Sequence, residues 1–179
     1  MRSSAYSVAV CGLGLLLCAG TAVAEKPLPG PDKQFVTEAA KGGMTEVKMG
    51  ELARQKGQSD GVKSFGETLI RDHSKANEEL KQVAGGLGLS LPDDISTEQK
   101  KHLEMLQKLE GEAFDKAFVK HMVTDHKKDI AEFRRESQSS KTDEIKQFAG
   151  RTLPALEEHL KIAQDLSSKD QQSGAKSSQ

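Results

Sequence analysis

The sequence predicts an all-α protein, a four-helix bundle made of two helical hairpins with a short extra helix in the central connection. Three observations carry this. Four stretches, roughly 33–57, 60–85, 112–138 and 143–167, repeat apolar residues at steps of three and four, which lines one face of a helix. The polar turns Gly57-Gln58-Ser59 and Ser139-Ser140-Lys141-Thr142 join these stretches in pairs and are short enough to force antiparallel neighbours. At an offset of 83, Asp32-Lys33-x-Phe35-Val36 matches Asp115-Lys116-x-Phe118-Val119, and Gln55, Asp60, Lys63 and Phe65 match Gln138, Asp143, Lys146 and Phe148. Eight identities in 34 positions exceed the roughly two expected from average composition, so the two hairpins are related.

Residues 1–24 read as a signal peptide: Arg2, an uncharged stretch rich in Val, Leu, Ala and Cys, then the small-x-small site Ala22-Val23-Ala24. The apolar part proper is too short to anchor the chain in a bilayer, and Leu17 is a poor residue to precede a lipidated Cys18. A Pro-rich linker, 25–31, leads into the bundle domain, 32–166, and the Ser/Gln/Lys-rich stretch 167–179 reads as a disordered tail.

The first helix is the weakest, its stripe of Phe35, Val36, Ala39, Ala40, Val47, Met49 and Ala53 being interrupted by Gly42, Gly43 and Gly50. Each glycine costs roughly 1 kcal/mol of helix propensity relative to Ala, which close approach of a second helix would explain. The second helix presents Val62, Phe65, Leu69, His73, Ala76, Leu80, Val83 and Leu87, with Ser59 as N-cap. Residues 86–111, with Pro92, a capping box from Ser96 to Gln99 and a short amphipathic helix, are too long for a tight turn and suit a crossover along the bundle. The third long helix offers Val119, Met122, His126, Ile130 and Phe133; the fourth offers Ile145, Phe148, Thr152, Ala155, His159, Ile162 and Leu166. Asp32 and Thr142 are the N-caps expected for the first and last, and Pro154 should kink the last.

Composition excludes several functions. Both cysteines, Cys11 and Cys18, lie in the signal peptide, so the mature chain has neither disulfides nor thiolate ligands. The 26 basic and 27 acidic residues are interspersed without a basic cluster, and Trp is absent, which argues against nucleic acid as partner. No apolar run after residue 24 reaches transmembrane length.

The Phe35-Val36 through Gly42-Gly43…Glu46-Val47 segment, Asp72-His73, Phe114-Asp115, His126 and Leu153-Pro154-x-Leu156-x-x-His159-Leu160 resemble the secreted bacterial domain-of-unknown-function 4142 family over nearly the whole mature domain. The resemblance implies a ferritin-like bundle, often labelled an outer-membrane protein, in a setting of envelope stress or metal homeostasis. It implies no particular reaction.

His73, His126 and His159 sit in the middle of apolar stripes on three helices, and Glu46 lies on or beside the inner face of the fourth. Together they form a ligand set for a divalent ion such as zinc, manganese or iron. The favoured reading is instead a buried polar network, with neighbours such as Asp72 or Asp129 holding the imidazoles, because core imidazoles are more often satisfied by hydrogen bonds than by metals. If both hairpin turns lie at one end, all four residues fall within about one and a half helical turns; a crossover that puts the turns at opposite ends spreads them to about 12 Å. A di-iron centre needs Glu three residues before His on two helices, and that position holds Ile70, Gln99, Phe118, Val123 and Leu156 before the five histidines. The motif is absent. His121 and His126 are too far apart on the helix to form a zinc-protease pair, and neither His102 nor His121 is assigned a role.

The leading reading is an exported, non-enzymatic bundle that binds an unidentified protein, small ligand or metal ion. The alternative is a metal-dependent enzyme using the core histidines, and a third, a bundle that opens onto lipid, asks for more apolar faces than a 35% hydrophobic chain provides. Export predicts a mature protein beginning at Glu25. Intact-mass measurement of secreted protein checks this, and retention of Met1 to Ala24 would contradict it.

Overall fold

The computed structural model describes residues 28–176, with side chains through Lys169. The stretch read as a signal peptide and the first part of the expected linker lie outside the described residues. Five helices follow in order: α1 (Gly30–Lys56), α2 (Asp60–Gly86), α3 (Thr97–Gln107), α4 (Gly111–Ser139) and α5 (Asp143–Lys176). Among the described residues there is no strand, and no helix is long and apolar enough to cross a membrane.

Helix α1 starts at Gly30-Pro31, where proline's missing N–H costs nothing. The expected cap, Asp32, is used differently. It is buried and accepts hydrogen bonds from the hydroxyls of Ser140 at 3.0 Å and Thr142 at 2.6 Å, in the α4–α5 turn. Asp115, its partner at the offset of 83, accepts from the backbone N–H groups of Gln58 and Ser59, both at 2.8 Å, in the α1–α2 turn. Each hairpin therefore clamps the other's turn, and the two turns lie at opposite ends of the bundle. Ser59 caps α2 through Val62 N–H, and Ser96 with Gln99 forms the expected capping box on α3.

Opposite turns make α2 and α4 run the same way, so the segment between them travels the length of the bundle. Around the ring the order is α1, α2, α5, α4, each antiparallel to its neighbours, with α3 against α1 and α4. The crossover begins at a Schellman stop: Gly88 is left-handed (φ 65°), Leu89 N–H bonds Ala84 C=O at 2.8 Å and Gly88 N–H bonds Gly85 C=O. At the far end α5 passes Pro154 and continues through Lys176, so the tail read as disordered is helical over most of its length. The segment contains no proline, and elongation from an existing helix needs no new nucleus.

The core divides in two. Phe65, Leu69, Phe114, Phe118 and Met122 belong to one cluster; Phe35, Leu80, Phe133, Phe148 and Leu156 belong to the other. Within each hairpin the helices pack tightly, and α1 meets α2 through glycine: a Cβ on Gly50 would lie 2.6 Å from the Gly66 carbonyl oxygen, and a Cβ on Gly66 would lie 2.6 Å from that of Gly50. This accounts for one of the glycines that weaken the α1 stripe. Gly66→Ala should destabilise the fold by about 1–3 kcal/mol through overpacking against backbone, whereas Gly42→Ala, which meets nothing within 4 Å, should be neutral or stabilise by up to about 1 kcal/mol. Urea unfolding midpoints decide; equal effects of the two substitutions would refute the close-contact account.

Candidate metal centre

Along each long helix one buried titratable side chain stands between the two apolar clusters. Glu46 stands between Ala40 and Met49, His73 between Leu69 and Leu80, His126 between Met122 and Ile130, and His159 between Leu156 and Ala163. The crossover topology was expected to spread these residues along the axis. Instead, one ligand nitrogen from each of His73, His126 and His159 lies within 4.8 Å of the others. The long helices are of similar length, so a residue near the middle counted from one end is near the middle from the other. Side chains also tilt toward their helix N-terminus. α2 and α4 start at one end and α5 at the other, so His73 and His126 lean toward His159 and it leans toward them.

Glu46 does not join that group. Its carboxyl is fully buried, and neither oxygen has a hydrogen-bond partner in good geometry. Burial, reinforced by Asp125 and Asp129, raises its pKa well above the ordinary carboxylate value. Asp129, at the position paired with Glu46 by the offset of 83, is likewise pushed up to about 7, by burial first and then by Asp125.

The protons on the imidazoles follow from their partners. His126 Nδ1 lies 3.0 Å from the Met122 carbonyl, which can only accept, so Nδ1 carries the hydrogen and Nε2 a lone pair. His159 Nε2 lies 3.0 Å from Asp72 Oδ2. For Asp72, burial acts to raise the pKa, but hydrogen bonds from Arg71 and His159 outweigh it and the net shift is downward. The carboxylate is therefore ionised and accepts, so His159 Nε2 is the donor and Nδ1 has the lone pair. His126 Nε2 and His159 Nδ1 face each other at 3.3 Å. Two lone pairs at that distance repel unless a proton or a metal ion stands between them.

A proton is disfavoured there. Burial, and then the charge of its neighbour His159, lowers the pKa of His126 to about 4. Burial also lowers His159, despite Asp72, and takes His73 well below its ordinary value. His73 Nε2 is buried with no partner at all. The arrangement therefore has unprotonated nitrogens of His126 and His159 converging with a nitrogen of His73, the first two oriented by a hydrogen bond on the far side of the ring, as is usual for metal-bound imidazole. The observed 3.3 Å matches the N···N edge of roughly 3.3–3.4 Å that a tetrahedral ion with bonds of about 2.0–2.1 Å would require.

Of the two acids expected to hold imidazoles, Asp72 does so, and Asp129 acts on Glu46 instead, its charge helping to raise that carboxyl group's pKa. A cavity of about 70 Å³ reaches His73 and is bordered by Asp125 and Asp129. Two residues given no role, His102 on α3 and His121 on α4, stack with ring centroids 3.9 Å apart. The path of the crossover decides that pairing, and no spacing within the sequence signals it.

The profile of the family described as Domain of unknown function (DUF4142) matches residues 18–166, and the chain belongs to that family. Among curated proteins no relative matches the sequence. Among solved structures, a crystal structure of a DUF305 fragment from Deinococcus radiodurans is similar, with a TM-score of 0.70 at 14% identity, over 80% of this chain and 99% of that one. At that identity the likeness shows a shared helical fold.

The site predicts opposing pH dependences in metal-free protein. The His126 pKa is depressed from 6.5 to about 4, so its contribution is fully present above pH 6.5 and is lost as pH falls through 4, on the order of 3 kcal/mol in all. Asp129 is raised from 3.8 to about 7, so its contribution is present in acid and is lost as pH rises through 7. Urea midpoints measured from pH 4 to 8 should show that His126→Gln reduces the acid loss, to which His73 and His159 also contribute, and that Asp129→Asn reduces the loss at higher pH, to which Glu46 also contributes. Superimposable profiles for the wild type and both variants would refute the assignments.

Proposed function

We propose that this member of the DUF4142 family is a ferritin-like bundle of the cell envelope that binds one divalent transition-metal ion through His73, His126 and His159. The observation that carries the reading is the pair of lone pairs on His126 and His159, facing each other at 3.3 Å with a nitrogen of His73 within 4.8 Å of that group. An all-imidazole set suits zinc and its first-row neighbours better than the harder manganese. Glu46 stays outside the set, and the absence of any Glu-x-x-His argues against a di-iron centre. Export rests on the N-terminal signal sequence.

Arg71, Asp72 and His159 form a chain from the surface inward, with Arg71 paired to Asp72 at 2.8 and 3.0 Å. Asp72 fixes the tautomer and the angle of His159 and raises its basicity toward a metal. A second reading, a metal-dependent enzyme, is favoured by one observation: three nitrogens leave a fourth tetrahedral position, and the cavity that reaches His73 would admit water to it.

Tag-free protein titrated with Co(II) should show saturable visible bands at one ion per chain. His126→Gln or His159→Gln should abolish them, and Asp72→Asn should weaken binding by roughly 10–100-fold. Zinc at a hundred times its Kd should stabilise the fold by about 2.7 kcal/mol. Absence of saturable binding, or binding indifferent to all three substitutions, would overturn the proposal.

A further inference from the structure

The cavity at His73 occupies space that the second hairpin fills with imidazole. At the offset of 83, His126 pairs with Gly43 and His159 with Ala76, and both of these small residues line the cavity. A Cβ on Gly43 would sit 1.9 Å from the side-chain oxygen of Asn77, which lines the same space and would have to shift. At the inner end is His73, 6% exposed, with its Nε2 unpartnered. Around the walls stand Glu38, Asp125, Asp129 and Glu132, four carboxyl groups against the single ammonium of Lys128.

We propose that this cavity is the port through which divalent cations reach the three imidazoles, with the carboxylates drawing the ion in and His73 receiving it first. The inference rests on the metal-binding reading above. Of the three histidines only His73 lines the cavity, so an ion arriving this way meets its nitrogen before those of His126 and His159. On the other side, His159 is covered by Asp72, itself held by Arg71. Hard carboxylate oxygens suit a partly hydrated ion, and imidazole nitrogens bind the dehydrated transition metal more tightly, so the ligands are ordered along a path of increasing affinity. A volume of about 70 Å³ holds a few water molecules, so a partly hydrated ion fits and a bulky metal chelate does not.

Stopped-flow uptake of Co(II) by metal-free, untagged protein tests the port separately from the site. At pH 8, where Asp129 is ionised, Asp129→Asn combined with Glu132→Gln should slow association roughly tenfold at low ionic strength, with the difference shrinking at high salt. Gly42 lines the cavity and a Cβ there meets no atom within 4 Å, so Gly42→Leu grows into open space and also improves helix propensity. That variant should slow uptake, and release to a chelator, by similar factors while leaving the equilibrium affinity near wild type. Gly42→Ala, with melting curves for every variant, controls for folding. Wild-type rates in both the double variant and Gly42→Leu, with binding intact, would overturn the port alone; a wild-type protein that takes up no Co(II) would overturn the binding site and the port together.

Discussion

The bundle is organised around a polar layer that has to be buried. Three imidazoles and a carboxyl group lie at mid-height on the four long helices, and an unpartnered polar group in an apolar interior costs on the order of 1–3 kcal/mol. The protein limits this cost in three ways. It favours neutral imidazoles, it gives the N–H groups of His126 and His159 fixed acceptors in Met122 and Asp72, and through burial and neighbouring acids it favours the protonated form of Glu46. What these devices leave over, His73 Nε2 and the facing lone pairs, is what a cation would satisfy. The two hydrophobic clusters are then the supports on either side of that layer, and their aromatic contacts, such as Phe35 on Phe133 and Phe65 on Phe118, hold its height fixed.

Much of this was legible in the sequence because it is periodic or repeated. The positions of His73, His126 and His159 within apolar stripes marked them as inward, and the short turns marked the hairpins. The bringing together of the three nitrogens was not legible, since it depends on which end of the bundle each turn occupies. That choice is made by Asp32 and Asp115, and a capping preference alone misassigned Asp32: helix-start signals identify a residue that needs donors without saying which segment supplies them. Glu46 illustrates a different limit. A helical stripe places a residue inward or outward only to within the width of its face, and that is too coarse to separate a ligand from a neighbour of ligands.

The same tension between local and global signals appears in the glycines of α1. By propensity Gly43 and Gly50 weaken a helix; in the bundle Gly50 admits the α2 backbone and Gly43 admits the Asn77 side chain. Local helix stability is exchanged for close contact in one case and for cavity volume in the other. The relation between the hairpins makes the second exchange clearer, because the counterpart of Gly43 is a histidine. The two halves have kept their clamps, their turns and their aromatic positions, and they differ where the chemistry is.

The placement of the nitrogens across the repeat has a mechanical consequence. His73 belongs to the first hairpin, and His126 and His159 to the second, so an ion held by all three is a cross-link between halves joined covalently only by the long segment after Gly88. The hairpins make most of their contacts internally, and their mutual docking is the thinner interface. Occupancy would therefore act mainly on docking, leaving the fold of each hairpin nearly untouched, and the cohesion of the molecule would report how much free metal surrounds it.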